Sequence, residues 1–259
     1  MGPAQIEAYL RRLEYGGSRL VSLPALRSLH LAHMRQVPFE NLDIALGREI
    51  GLSEESLFRK IVENRRGGFC YELNGLFAAL LSALGFQVQL LSARVIGADG
   101  VEGPEFDHLA LLVEFGGWPQ LVDVGFGDSF QEPLPLRPGI SQTQAGRSYR
   151  LEEASRAWSL LALPAGTRQE WELSYSFTLE ARRLDQFQEM CRYHQTSPDS
   201  PFTRNRMCTR ATADGRFTLS GMRTTETING YRQQRELGGE AEFWRVAQER
   251  FGICVARRK

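Results

Sequence analysis

The chain carries no excess of either charge: among its 259 residues, lysine plus arginine number 31, and so do aspartate plus glutamate. That balance excludes the basic field on which nucleic-acid and anionic-membrane binding depend. Cysteine is scarce. Cys70, Cys191, Cys208 and Cys254 are widely spaced and form no CxxC pair, which argues against a disulfide framework and a zinc site alike, so no metal is expected. No window approaches 18 uninterrupted apolar residues, so no transmembrane helix is expected. The opening "MGPAQIEAYLRRLEYGG" lacks the basic start and apolar run of a secretory signal. A reducing cytoplasm, where a thiol stays free, is the expected location. Glycine-rich phosphate loops are missing too: there is neither GxGxxG nor a Walker A pattern.

What is there has three characters in succession. Residues 1–85 have helical spacing. Ile6, Leu10 and Leu13 share one face; Ser22 with Pro24 starts a second helix that Pro38 ends; Ser53, followed by Glu54 and Glu55, caps a third. A fourth begins at or near Cys70, with Leu73, Phe77, Leu80 and Leu84 toward a core, and Gly85 stops it. Residues 86–185 change rhythm. "FQVQLLSARVI", "FDHLALLVEF", "QLVDVGF", "YRLEE", "WSLLAL" and "WELSYSFTL" are short β-branched or aromatic runs between turns, the pattern of an antiparallel sheet or small barrel. Residues 186–259 mix a helical piece, the proline-rich "SPDSPFTRNR", a hairpin turning at Asp214-Gly215 and the closing helix "EAEFWRVAQERF". The fold class is α+β: a helical bundle, a central antiparallel β-barrel and a C-terminal α/β lid.

Chemistry can sit at Cys70. A helix N-terminus favours an anion, which draws a thiol down from ~8.5 toward neutrality. Gly67 and Gly68 permit backbone angles closed to other residues and a close approach of substrate. Alone, such a cysteine is more often a buried structural thiol. A thiolate nucleophile normally takes its base from histidine. His30 and His33 lie in a helical pattern suited to packing, and His194 near a helix C-terminus, whereas His108 lies inside the apolar strand "FDHLALLVEF". Asp123 is embedded in the neighbouring run "LVDVGFG", where an unpaired carboxylate is costly. A two-residue turn at Gly116-Gly117 pairs Phe115 with Trp118, His108 with Gly125 and Ala110 with Asp123. His108 and Asp123 are then diagonal neighbours on one face, and a four-residue loop would keep them on that face but farther apart. A cysteine, a base and an orienting carboxylate make a Cys-His-Asp triad of the cysteine-protease kind.

Those residues also carry a resemblance. "RGGFCYELN", "DHLALLV" and "DVGFGDSF", with "VPFENLD" upstream and "SPFTRNR" downstream, resemble the arylamine N-acetyltransferases over nearly the whole chain. The resemblance implies acetyl-coenzyme A as cosubstrate and an arylamine, arylhydrazine or N-hydroxyarylamine as acceptor, in a monomer or weak homodimer. It implies Cys70 as the acetylated nucleophile, His108 as base and Asp123 as its partner. Phe39, Phe126 and Phe202 would line the acceptor site, against ordinary core packing as the bland alternative. Asp128 and Phe130 would influence acceptor choice, and Gly127 would let the pantetheine of coenzyme A pass. The phosphates would fall to scattered basic groups such as Arg204 or Arg206. Glu40, Asn41 and Glu72 are better explained as bracing. Papain-like proteases and transglutaminases share the order of the triad, and amide synthases that close macrolactams share the motifs themselves.

Overall fold

A computed structural model of the chain describes residues 1–97, 99–163 and 170–254. The closing residues of the C-terminal unit therefore lie outside the described residues. Helix α1 spans Pro3–Arg12 and α2 Leu23–Gln36. Ser22 caps α2, its hydroxyl accepting from Ala25 N at 3.2 Å, with Pro24 in the first turn. A two-residue strand, β1 (Phe39–Glu40), and a single turn, α3 (Leu42–Ala45), follow. Ser53 caps α4 (Glu54–Phe58), which runs on into a π-helical turn at Arg59–Glu63. Helix α5 (Cys70–Ala83) ends against Gly85, whose φ of +95° is open to glycine.

Strands β2 (Gln87–Val95), β3 (His108–Glu114), β4 (Gln120–Val122), β5 (Leu134–Pro135), β6 (Ser141–Gln144), β7 (Arg147–Ala154), β8 (Ala157–Leu163) and β9 (Glu172–Arg182) form one antiparallel sheet, ordered β5-β4-β3-β2-β9-β8-β7-β6. Its two edges meet through a side chain. Gln144 Oε1 accepts from the backbone of Gln131 and Glu132, each at 2.8 Å, and its Nε2 donates to Glu132 O at 3.0 Å. The sheet is thus a nearly closed barrel. Strand β3 is buried on both faces and divides two cores. Leu109, Leu111 and Val113 pack on the helices, and Ala110 and Leu112 join Leu160 and Tyr175 inside the barrel.

The rest of the chain builds α6 (Gln188–Thr196), α7 (Pro201–Arg204), β10 (Met207–Ala211), β11 (Gly215–Ser220), β12 (Arg223–Ile228), β13 (Tyr231–Glu236) and α8 (Glu240–Phe251). The second sheet is ordered β1-β10-β11-β12-β13. Phe243, Val246 and Phe251 of α8 pack on Phe217 and Leu219 beneath it. Its first strand comes from the N-terminal residues: Phe39 pairs with Thr209 and Glu40 with Cys208. The lid sheet is therefore anchored in the helical part of the chain.

Candidate active site

Cys70 is the first residue of α5, and the preceding Phe69 N–H donates to Glu72 Oε2 at 3.1 Å. Glu72 is in turn paired with Lys60 Nζ at 2.8 Å, part of a buried set in which Arg66 joins Glu40 and Asp43. Burial pushes the Glu72 carboxyl up to about 7, an effect that Lys60 offsets only in part. These groups brace the helix start, as the sequence suggests for Glu40 and Glu72. Asn41 ties the lid down, donating to Phe202 O and Asn205 O at 3.1 and 2.8 Å and accepting from Met207 N at 2.7 Å.

The two glycines before Phe69 act differently from the expectation above. Neither has a positive φ. A Cβ on Gly67 would fall 1.9 Å from Pro38 O, and one on Gly68 would fall 2.7 Å from the Glu72 side chain. Their smallness seats the segment entering β1 and the Glu72 brace; it makes room for protein, not substrate.

The β3–β4 hairpin has the register that its glycine turn dictates. Gly116 and Gly117 have φ of +54° and +79°, Trp118 N donates to Phe115 O at 2.7 Å, and Leu111 pairs with Val122. His108 Nε2 lies 2.8 Å from Asp123 Oδ2. Asp123 is fully buried, and its carboxylate also accepts from Asn74 Nδ2 at 2.8 Å, Gly125 N at 2.9 Å and Tyr175 Oη at 3.1 Å. Burial alone would raise this carboxyl, but His108 and the donated hydrogen bonds outweigh it and hold the group below its ordinary range. Asn74 Oδ1 meanwhile accepts from Val124 N at 2.9 Å, locking α5 to the segment after β4.

A cavity of about 1190 Å³ opens onto these residues. Cys70, His108, Phe126, Gly127, Phe39 and Phe202 all border it, while Asp123 stands behind His108, out of the wall. Phe126 meets the His108 ring edge-on at 5.2 Å, and Phe39 and Phe202 are 6.1 Å apart. Gly127 has a φ of +86°, a conformation that itself calls for glycine, and a Cβ there would make only ordinary contact with Phe39 and Thr209.

The electrostatics of Cys70 correct the expectation of a lowered thiol. Burial pushes the Cys70 thiol well up; the backbone of Leu109 opposes this, and the charges of Asp107 and Asp123 add to it. Burial thus works against the helix start, and a base beside the sulfur has to favour its anion.

Comparison with known proteins places this arrangement. Residues 22–259 match a family model described as N-acetyltransferase. The arylamine N-acetyltransferase of Escherichia coli (strain K12) is 35% identical over 250 residues, covering 95% of this chain and 88% of that protein. The chain belongs to the arylamine N-acetyltransferase family. It is thus an acyltransferase. The solved arylamine N-acetyltransferase of Salmonella typhimurium superposes with a TM-score of 0.91 at 32% identity, covering 98% of this chain and 92% of that one. That of Mycobacterium marinum, solved in complex with CoA, gives 0.89 at 34% identity over 96% of this chain and 92% of that one.

Three expectations drawn from the family resemblance need correction. Phe130 is fully buried, stacked on His30 with ring centres 5.6 Å apart, and is not in the cavity wall. Arg204 is tied to Asp199 at 3.0 Å and Arg206 to Glu240, and neither borders the cavity. Arg216, Arg223 and Arg232 border it instead. Arg216 reaches Asp128, which does border the cavity, at 3.0 Å. Two residues escaped the sequence reading. Asn74 follows Cys70 by one helical turn, a polar group on an otherwise apolar face, and that spacing was a usable signal. Tyr175 left no such trace, because its approach to Asp123 depends on barrel curvature.

Proposed function

We propose that this chain transfers an acetyl group from acetyl-coenzyme A to the nitrogen of an arylamine, arylhydrazine or N-hydroxyarylamine through an acetyl-cysteine on Cys70. The observation that carries this is the opening of Cys70 and His108 into one cavity, with Asp123 hydrogen-bonded behind the imidazole. His108 Nε2 is committed to Asp123, which leaves Nδ1 for the thiol proton. His108 takes that proton, the sulfur attacks the thioester carbonyl, and the carbon–sulfur bond to coenzyme A breaks as its thiolate recovers the proton. The amine then attacks acetyl-Cys70, its proton passes to His108, and the carbon–sulfur bond to Cys70 breaks. Asp123 holds the ring in one tautomer and favours the imidazolium. The backbone amide of Cys70, at a helix start, is a donor for the oxyanion.

The remaining parts follow from where they stand. Residues 1–85 carry the nucleophile, 86–185 the base and its carboxylate, and 186–259, in their described part, close over them as a lid. Phe39, Phe126 and Phe202 offer an aromatic acceptor three ring faces or edges. Gly127 borders the path of the pantetheine, and the coenzyme phosphates meet Arg216, Arg223 and Arg232 of the cavity wall. An amide synthase would use the same triad; the named relatives, all arylamine N-acetyltransferases, favour acetyl transfer. Thiol release from acetyl-coenzyme A across a panel of arylamines and hydrazines tests the reading. Ping-pong kinetics with at least one arylamine supports it; no amine-dependent thiol release refutes it.

A further inference from the structure

The same cavity holds a second carboxylate–imidazole pair that the chemistry above leaves unused. Asp107 immediately precedes β3, and His194 comes from α6 on the lid side. Both border the cavity. His194 Nε2 lies 3.1 Å from Asp107 Oδ1 but out of line for a hydrogen bond, so this nitrogen has no hydrogen-bond partner among the described residues although the side chain is buried. The other ring nitrogen is held: Nδ1 is 3.2 Å from Ser200 Oγ, and Ser200 caps α7 by accepting from Phe202 N. Asp107 is cradled as well. Its Oδ2 accepts from Val95 N at 3.3 Å, and a Cβ on Gly103 would fall 2.6 Å from that oxygen.

The position of this carboxylate matters because its charge reaches the nucleophile. Asp107 is among the groups that push the Cys70 thiol up, so it disfavours the thiolate needed in the first half of the reaction. A group retained there against that effect should act in the other half. An amine attacking an acetyl thioester carries positive charge on nitrogen until its proton leaves, and a fixed anion nearby stabilises that charge. The side chain of Asp107 is 16% exposed, so the field it casts is weakly screened.

We infer that Asp107, aligned by His194, is the docking point for the acceptor's amino group: its carboxylate takes an N–H hydrogen bond from the attacking amine and stabilises the charge that develops on nitrogen. The inference rests on the acetyl-cysteine reading above. The nitrogen–carbon bond forms, the carbon–sulfur bond to Cys70 breaks, and the departing amine proton goes to His108 Nδ1 and then to the Cys70 sulfur. Asp107 gains no proton over the cycle. His194 acts through Asp107 and is a positioning residue. One N–H is held and another is lost, so the site suits primary amines and hydrazines.

Rapid-quench kinetics on the full chain separates the two halves. Mixing with acetyl-coenzyme A alone gives the burst of coenzyme A release; adding aniline or phenylhydrazine to the acetylated protein gives the transfer rate. The transfer rate constant itself should fall roughly tenfold or more in Asp107→Asn, and in the same direction in His194→Gln, while the burst rate constant holds or rises because Asp107 disfavours the Cys70 thiolate. Partial unfolding lowers burst amplitude without moving the transfer rate constant, and relief of the thiol alone moves only the burst. An unchanged transfer rate constant in either variant overturns the inference. Absence of a burst in the unmodified chain overturns the acetyl-cysteine reading, and this inference with it. A normal burst with an unchanged transfer rate constant overturns this inference alone.

Discussion

Gly125 passes so close to Cys70 that a Cβ on it would lie 2.8 Å from the Cys70 Cα and 2.6 Å from Asn74 Nδ2. Both neighbours are fixed, one as helix backbone and the other by hydrogen bonds to Leu109 O and Asp123. A methyl group there must push β4's continuation away from α5, and His108 is bonded to Asp123 on that same continuation. Gly125→Ala should therefore lower stability by about 1–3 kcal/mol. Its loss of turnover should be larger, about a hundredfold, because a displacement of about 1 Å between nucleophile and base has that effect. Chemical denaturation beside steady-state kinetics measures the two separately.

The carboxylate behind His108 has four donors, so its replacement separates charge from shape. Asp123→Asn keeps the volume but presents an amide, and the His108 ring loses both its tautomer preference and its stabilised cation. Turnover should fall by about 10³–10⁴. Tyr175→Phe removes one hydrogen bond of 3.1 Å from the same carboxylate and should lower turnover by about tenfold or less. Both variants are checked with the same acetyl-coenzyme A and arylamine assay.

The raised Cys70 thiol makes its reactivity near neutral pH depend on His108. Iodoacetamide labelling of the unmodified chain should show a limb at neutral or lower pH that belongs to the cysteine–imidazole pair. In His108→Gln that limb should vanish, leaving labelling only at strongly alkaline pH. An identical profile in the two proteins would break the pairing.

How much of this was legible beforehand varies with how local each feature is. The start of α5 at Cys70 and the β3–β4 register depend on a few adjacent residues, and both were readable from "RGGFCYELN" and "FGGWP". Strands β2, β3, β4, β7, β8 and β9 announced themselves as short β-branched or aromatic runs between turns, whereas β5 is two residues long and β6 is polar throughout. Strands β12 and β13 did not, because "YRQQRE" is exposed and polar throughout; yet their turn, Asn229-Gly230 with φ of +49° and +83°, is a recognisable hairpin signal. Strand β1 has two residues and owes its existence to a partner far along the chain. The Cys70 thiol was misjudged for a similar reason: the helix start is local and visible, whereas burial comes from the barrel and lid packed over it.

Acid stability should report on His30. This ring is buried, with Nδ1 2.8 Å from Gln131 O, and with Nε2 3.3 Å from Asp123 N, whose N–H it accepts. Burial pulls it down to about 4 from an ordinary 6.5. The unfolded chain then binds a proton near pH 6.5 that the folded chain does not bind until about pH 4, so the His30 contribution to stability rises with pH across that window and is lost on acidification. It amounts to about 3 kcal/mol, and the raised Glu72 carboxyl contributes in the opposite sense over the same window. Denaturant titrations of the unmodified chain and of His30→Gln at pH 7 and pH 4.5 should therefore show the stability gap between the two shrinking at the lower pH.

The central claim is the covalent intermediate, and intact-mass spectrometry tests it most directly. Incubated with acetyl-coenzyme A and no amine, the chain should gain one acetyl group, mapped by peptide analysis to Cys70, and should lose it when an arylamine is added. Cys70→Ala should gain none. An unmodified mass, or an acetyl group that persists in Cys70→Ala, would contradict the account.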